Sequence, residues 1–349
     1  MADPLAETAA RLRALVPGFP DTYDVVPRAE TGPGWFRLDA VPVAAWCDEA
    51  RERGNPRRLA SVAAMAVGGA LTHAVLARVT AALALDTRAW DLAALRVHRA
   101  GAGHIDRVAV RSPAWLVAGD PAASEGPPAR SGRGPAGPAG AAIGRLPGGD
   151  DPAASAGADG GSADAVGPRL ARPGEGARAP EVAAGPTACD AVALVRVFPD
   201  ESALLDAVAA AAVGALAPLL REVRAATRFG LVPLWNAAGD AVRLTAEMAP
   251  RYAGRAPRSG LAPAFLDALV AHGAPIRGRG EEQPLPGRPE RVPVRAACCL
   301  AYRTDPPVAH PSDALCTTCP LLPAAERARR YTGFLDGLPR PDQESGPVR

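Results

Sequence analysis

LASVAAMAVGGALTHAVLARVTAALAL, Leu59 to Leu85, is the stretch whose reading decides the fold. It is long and apolar, so the first question is whether it faces lipid or protein. Ser61, Thr72, His73, Arg78 and Thr80 interrupt it, and half of its apolar positions are alanine, well short of a continuous lipid-facing span. Alanine is the strongest helix former, and Asn55-Pro56 supplies an N-cap and a first-turn proline just upstream. The stretch is expected to be a soluble core helix over residues 56–85.

Upstream, Ala9, Leu12, Ala14, Leu15 and Val16 fall at helical spacing and Pro17-Gly18 stops the run, predicting a short helix over residues 6–16. Prolines and glycines break residues 20–42, leaving one extended piece at Trp35-Phe36-Arg37-Leu38. A further helix runs from Pro42 to about Gly54 and carries Cys47 beside Trp46, far in sequence from other cysteines and read as a packed thiol.

Downstream the period changes. Leu95-Arg96-Val97-His98-Arg99 and Arg107-Val108-Ala109-Val110-Arg111 alternate around a Gly101-Ala102-Gly103 turn, predicting a hairpin. Val192 to Phe198 alternates again and is expected to join it in a small antiparallel sheet. Between them, residues 120–188 contain no aromatic side chain and few large aliphatics, so this insertion is expected to be disordered. Helices are then predicted over residues 201–216, 218–229, 233–248 and 263–272, each marked by a first-turn proline or a terminal glycine. Residues 273–293 read as a loop and residues 323–335 as a last helix before a frayed tail.

The chain has 349 residues, and 48% of them are hydrophobic but only 4% aromatic, which favours a helix-rich interior of small side chains. The fold class expected is α+β, mainly helical, with a small antiparallel sheet and a C-terminal cysteine loop. The parts are residues 1–119 (helices and hairpin), 120–188 (insertion), 189–292 (third strand and helical bundle), 293–338 (cysteine segment) and 339–349 (tail). The net charge of +2 argues against nucleic-acid binding, and every basic residue is arginine. The N-terminus lacks the pattern of a secretory signal, so a cytoplasmic location without a transmembrane segment is expected.

Four of the six cysteines lie near the end, in Cys298-Cys299-Leu300-Ala301-Tyr302-Arg303 and Cys316-Thr317-Thr318-Cys319-Pro320-Leu321. Four thiolates on one loop suit a soft metal or an iron-sulfur cluster. Cys316-x2-Cys319 fits structural zinc, but an adjacent pair is awkward around one small tetrahedral ion. His310 could replace one cysteine, and a reducing compartment disfavours disulfides.

Arg295, Cys298-Cys299, Leu300, Tyr302-Arg303 and Cys316-x2-Cys319-Pro320-Leu321 together resemble the C-terminal motif of FhuF-like siderophore-iron reductases. The family pattern is Cys-Cys-x10-Cys-x2-Cys; here the middle spacing is sixteen, with a proline-rich extension over residues 305–314. Leu234-Trp235 falls where that family tends to have Leu-Trp. The resemblance implies a 2Fe-2S cluster on Cys298, Cys299, Cys316 and Cys319, with no catalytic residues beyond these ligands and a ferric siderophore as substrate. Arg295, Arg303, Tyr302 and Trp235 are then candidates for contacting substrate or tuning the cluster.

Phosphate-loop, dinucleotide-binding and nucleophile-elbow motifs are not found, so the electron must come from an external donor. From Arg251 to Arg340 there are 13 arginines against 8 acids, an excess that could attract anionic chelates. The alternative reading is a zinc-stabilised, non-enzymatic binding protein.

Overall fold

The computed structural model of the protein describes residues 4–14, 25–26, 33–53, 58–92, 95–99, 105–109, 114–117, 196–303 and 315–338. The expected insertion over 120–188, the tail from 339, His310 and Cys189 lie outside the described residues.

The Leu59–Leu85 stretch forms helix α3 (Ala60–Asp86), which is buried along almost its whole length. By length and composition it could cross a bilayer, yet 67% of its most apolar window is buried inside the fold. Its hydrophobicity on all sides is therefore accounted for by protein neighbours. Those neighbours are α1 (Pro4–Ala14), α2 (Val43–Glu52), α4 (Glu201–Thr227) and α5 (Leu231–Tyr252). The helix starts at Ala60 with Leu59 as N-cap and without a side-chain cap, four residues later than Asn55-Pro56 suggested.

Close packing of α3 on α5 depends on Gly68. A Cβ there would lie 2.6 Å from Leu234 Cδ2, inside the repulsive wall, and Leu234 is fully buried. The small residue lets the two helix backbones approach each other.

Residues 201–227 form one helix, α4, where two were expected over 201–229, and Pro218 sits inside it. A proline removes one intrahelical hydrogen bond and crowds the carbonyl four residues back. Here that carbonyl belongs to Gly214, and both Gly214 and Pro218 are exposed, so water can satisfy the freed group. The opposite face, Leu204, Val208, Ala212, Leu216, Leu220 and Val223, stays buried as one stripe and keeps the helix continuous. Asp200 caps its start, accepting from Ala203 N at 2.9 Å. α6 (Leu261–Ala271) packs on α4 and α5.

The predicted hairpin is present. β4 (Arg96–Arg99) pairs antiparallel with β5 (Ile105–Ala109), setting Val97 opposite Val108, both buried. β2 (Trp35–Arg37) pairs antiparallel with β4, and β1 (Val25–Val26) pairs parallel with β5, giving the order β1-β5-β4-β2. The third strand is a correction: β7 (Arg196–Phe198) does not join this sheet. It runs parallel to β6 (Ala114–Val117), which pairs antiparallel with β3 (Ala89–Trp90) in a second sheet. Parallel neighbours need a long crossover, and the chain between residues 117 and 196 is long enough to provide one.

Residues 273–293 are also more ordered than expected. β8 (Glu281–Pro284) and β9 (Arg291–Val294) form an antiparallel hairpin. The last helix, α7 (Ala324–Asp336), covers it through a small separate core of Met248, Leu285, Val292, Ala328, Tyr331 and Leu335. The class is thus α+β and mainly helical, with small and mostly antiparallel sheets. Substituting Gly68→Val should lower unfolding free energy by about 1–3 kcal/mol, as overpacked cores do, measured by urea denaturation; an unchanged midpoint would contradict the close approach described for α3 and α5.

Candidate functional site

The cysteine segments are held from three sides. β9 delivers the chain to Arg295, and Asp240 in the middle of α5 receives it. Its carboxylate accepts hydrogen bonds from Ala296 N at 2.8 Å and Ala297 N at 2.9 Å. Asp240 is 1% exposed, so this is a buried charge binding backbone immediately before Cys298. The guanidinium groups of Arg243 and Arg295 each stand 3.7 Å from it. Burial pushes the Asp240 pKa up, opposed by the two amides and the two arginines.

Arg243 extends the clamp to the hairpin. It donates to Val294 O and Glu281 O, both at 3.0 Å. Gly280, with φ of +64°, makes room: a Cβ there would fall 1.7 Å from Arg243 Nη1. On the other side, Arg295 N donates to Thr318 O at 3.0 Å, joining the first cysteine segment to the second. Arg330 reaches from α7 to Leu315 O at 3.0 Å, and Arg327 donates to Leu322 O. The second segment is therefore fixed at both ends.

Cys316 and Cys319 close a turn, Cys319 N donating to Cys316 O at 2.9 Å. Leu300 N donates to Cys298 Sγ at 3.5 Å. To do so Leu300 adopts φ of +58°, a left-handed conformation costing a branched residue about 1–2 kcal/mol. Cys319 is 2% exposed while Cys298, Cys299 and Cys316 are half-buried.

The thiols interact. Cys316 is pushed down to about 5 by a hydrogen bond from Cys299, and further by the Arg295 charge and bonds from Arg295 and Thr318, against the opposing effect of burial. Cys319 moves up, first through burial and also through the charges of Cys316 and Cys298, against a backbone N–H from Leu321. Each of the four sulfurs is thus engaged by another cysteine or by a backbone amide. Among the described residues no three His, Cys, Asp or Glu side chains gather tightly enough to surround a single metal ion.

The surrounding groups fit a two-iron centre. Backbone N–H groups and Arg295 face the sulfurs, the pattern that stabilises a negatively charged thiolate cluster. Arg295 Nε is buried without a hydrogen-bond partner. That donor faces the Asp240 carboxylate at 3.7 Å, beyond hydrogen-bond range.

The other candidates are placed differently. Arg303 donates to the Tyr302 hydroxyl at 3.0 Å and stacks 5.4 Å from that ring, so the two pair with each other. Trp235 is 2% exposed within the main core, a packing position away from solvent. Much of the arginine excess is matched by acids: Arg251 with Glu247, Arg258 with Glu201, Arg279 with Asp267, Arg288 with Asp336, and Arg329 with Glu326. Cys47 is buried and its thiol is pushed up to about 11 by that burial, which makes it unreactive.

Sequence reasoning missed Asp240, Arg243 and His73. A lone acid within the apolar run of α5, and a lone histidine within α3, were the available signals. Compared with protein-family models, curated proteins and solved structures, the chain gives no match.

Asp240→Asn keeps shape but turns one acceptor into a donor facing an amide. It should cost about 1–3 kcal/mol in urea denaturation and speed hydrogen exchange at Ala296 and Ala297 about tenfold. Unaltered exchange at these two amides would refute the clamp.

Proposed function

We propose that the chain is an iron-sulfur protein that reduces siderophore-bound ferric iron by one-electron transfer. The observation that carries this reading is the pair of cysteine segments, the first anchored by Asp240 ahead of Cys298 and the second held at both ends, with Arg295 against Cys316 and Cys299. The likeness of the cysteine motif to FhuF-like reductases points to the same chemistry. A two-iron, two-sulfur centre held by Cys298, Cys299, Cys316 and Cys319 would supply a store for one electron.

The chain's own contribution is positional and electrostatic. Asp240 holds the backbone ahead of Cys298, and the Arg295 charge offsets the negative charge of the thiolates beside it. Leu300 N and the turn at Cys319 aim amides at sulfur, and burial of Cys319 keeps water from one side. These are the levers by which a protein sets a redox potential.

In the reaction, ferric iron in its oxygen-donor chelate gains one electron and becomes ferrous, which such donors hold less strongly. No bond to a protein atom forms or breaks. A reduced one-electron donor, a redox protein or a chemical reductant, loses the matching electron. The reaction belongs in the cytoplasm, where the released iron is used.

Protein purified without oxygen should contain about two iron and about two labile sulfide per chain and should reduce a ferric trihydroxamate when supplied with dithionite. Cys316→Ser should lose chromophore and activity, while Cys47→Ser and Cys189→Ser keep both. A colourless protein with one zinc and no sulfide would instead establish the zinc-stabilised binding protein, and a coloured, active Cys316→Ser would overturn the ligand assignment.

A further inference from the structure

Between α3 and α5 a cleft of about 160 Å³ reaches Cys299. Gly69, Thr72 and His73 line it from α3 and Thr245 from α5, and Arg295 and Cys299 are also part of the wall. The rest of the wall is apolar. It is therefore a small slot with apolar walls and a few polar groups, the usual composition of a ligand pocket.

His73 stands out because α3 is otherwise almost wholly apolar. It is exposed, lines the cleft, and its ring has no hydrogen-bond partner among the described residues. The crowd of atoms around that ring disfavours the imidazolium, as do the charges of Arg78 and Arg295, so its pKa is pushed down to about 4. The ring is neutral at physiological pH and presents both a donor and an acceptor. The nearby Arg295, which also lines the cleft, brings a positive charge.

These groups select the ligand's chemistry. A positive guanidinium and a neutral imidazole favour an anionic oxygen over a cation, and the apolar walls favour a flat organic group. A cavity of about 150 Å³ accommodates benzene, whereas a drug-sized molecule needs at least about 300 Å³. A whole hexadentate iron chelate cannot enter, but one of its bidentate arms can.

We propose that the cleft takes one anionic, oxygen-bearing arm of the ferric chelate, with Arg295 and His73 as its polar contacts and Cys299 at the side from which the electron leaves. This rests on the redox reading of the four cysteines. The iron then stays at the mouth of the cleft and is reduced there without binding to protein: one electron passes to Fe3+, and the external reductant replaces it. Hydroxamate, catecholate and carboxylate arms share the required chemistry.

Gly69 provides the test. A Cβ built there meets nothing within 4 Å, so Gly69→Leu extends into open space, and leucine is the better helix former. The variant should fold, keep its iron and sulfide, and be oxidised by hexacyanoferrate, an oxidant without oxygen-donor arms, at the wild-type rate. Its KM for ferric trihydroxamate and for ferric EDTA should rise roughly tenfold or more, and the two rises, compared, show which arm the cleft prefers. His73→Leu should raise KM likewise and His73→Gln should restore part of it. Binding of the redox-inert gallium trihydroxamate, followed by calorimetry, should weaken in the same variants.

Unchanged gallium-chelate binding and unchanged KM in Gly69→Leu would overturn the cleft while leaving the redox reading standing. Conversely, a wild-type protein without iron and sulfide that still binds the gallium chelate in a Gly69-dependent way would uphold the cleft as a chelate site and remove the electron transfer.

Discussion

The Asp240 carboxylate, buried and bonded to the Ala296 and Ala297 amides, is the interaction on which the functional part of the chain depends. It joins the centre of the helical core to the backbone immediately before the cysteine pair, across a separation of 57 residues. An ionised group in the core is costly unless it is paired and hydrogen-bonded. Here two amides and two nearby arginines meet that requirement, and each arginine also acts elsewhere, Arg243 by gripping the hairpin and Arg295 by reaching the sulfurs. A change at one member therefore affects the whole set, as expected of a buried polar network.

The helical core serves the same end by different means. Two adjacent glycines on α3 have opposite surroundings: Gly68 brings α3 against α5, whereas Gly69 leaves space between them. Close packing at one position and a gap at the next leave a cleft that Cys299 lines. The helix is hydrophobic all round because it is buried, and its few polar residues fall into two groups. Thr72 bonds back to Gly69 O within the helix, whereas His73 faces the cleft.

Local signals in the sequence were sufficient for α2, α6, α7 and the β4–β5 hairpin, where periodicity agrees with caps and turns. They failed where a distant contact decided the outcome. Pro218 looks like a helix start, but a continuous buried stripe on the other face of α4 carries the helix past it. Glu281 to Pro284 has no alternation and few β-formers; its strand exists because Arg243 holds the Glu281 carbonyl and Gln283 bonds to Ala324 O. The pairing of β7 with β6 depends on a strand partner, Ala114 to Val117, that periodicity alone did not reveal.

At the site the same division holds. The four cysteines and Arg295 were legible because thiol spacing is a local property. Asp240, Arg243 and His73 were not, since each acts on residues far away in sequence. Tyr302 and Arg303 satisfy each other, and Trp235 is committed to packing. What remains is a core that positions the cysteine segments, an arginine that reaches Cys316 and Cys299, and a small cleft that Cys299 lines.

The most direct measurement is the electron paramagnetic resonance spectrum of the dithionite-reduced protein at low temperature. The account predicts a signal from a reduced two-iron, two-sulfur centre integrating to about one spin per chain, disappearing when a ferric chelate is added and ferrous iron is released. A reduced protein with no such signal, or a signal that persists unchanged in the presence of excess ferric chelate, would contradict it.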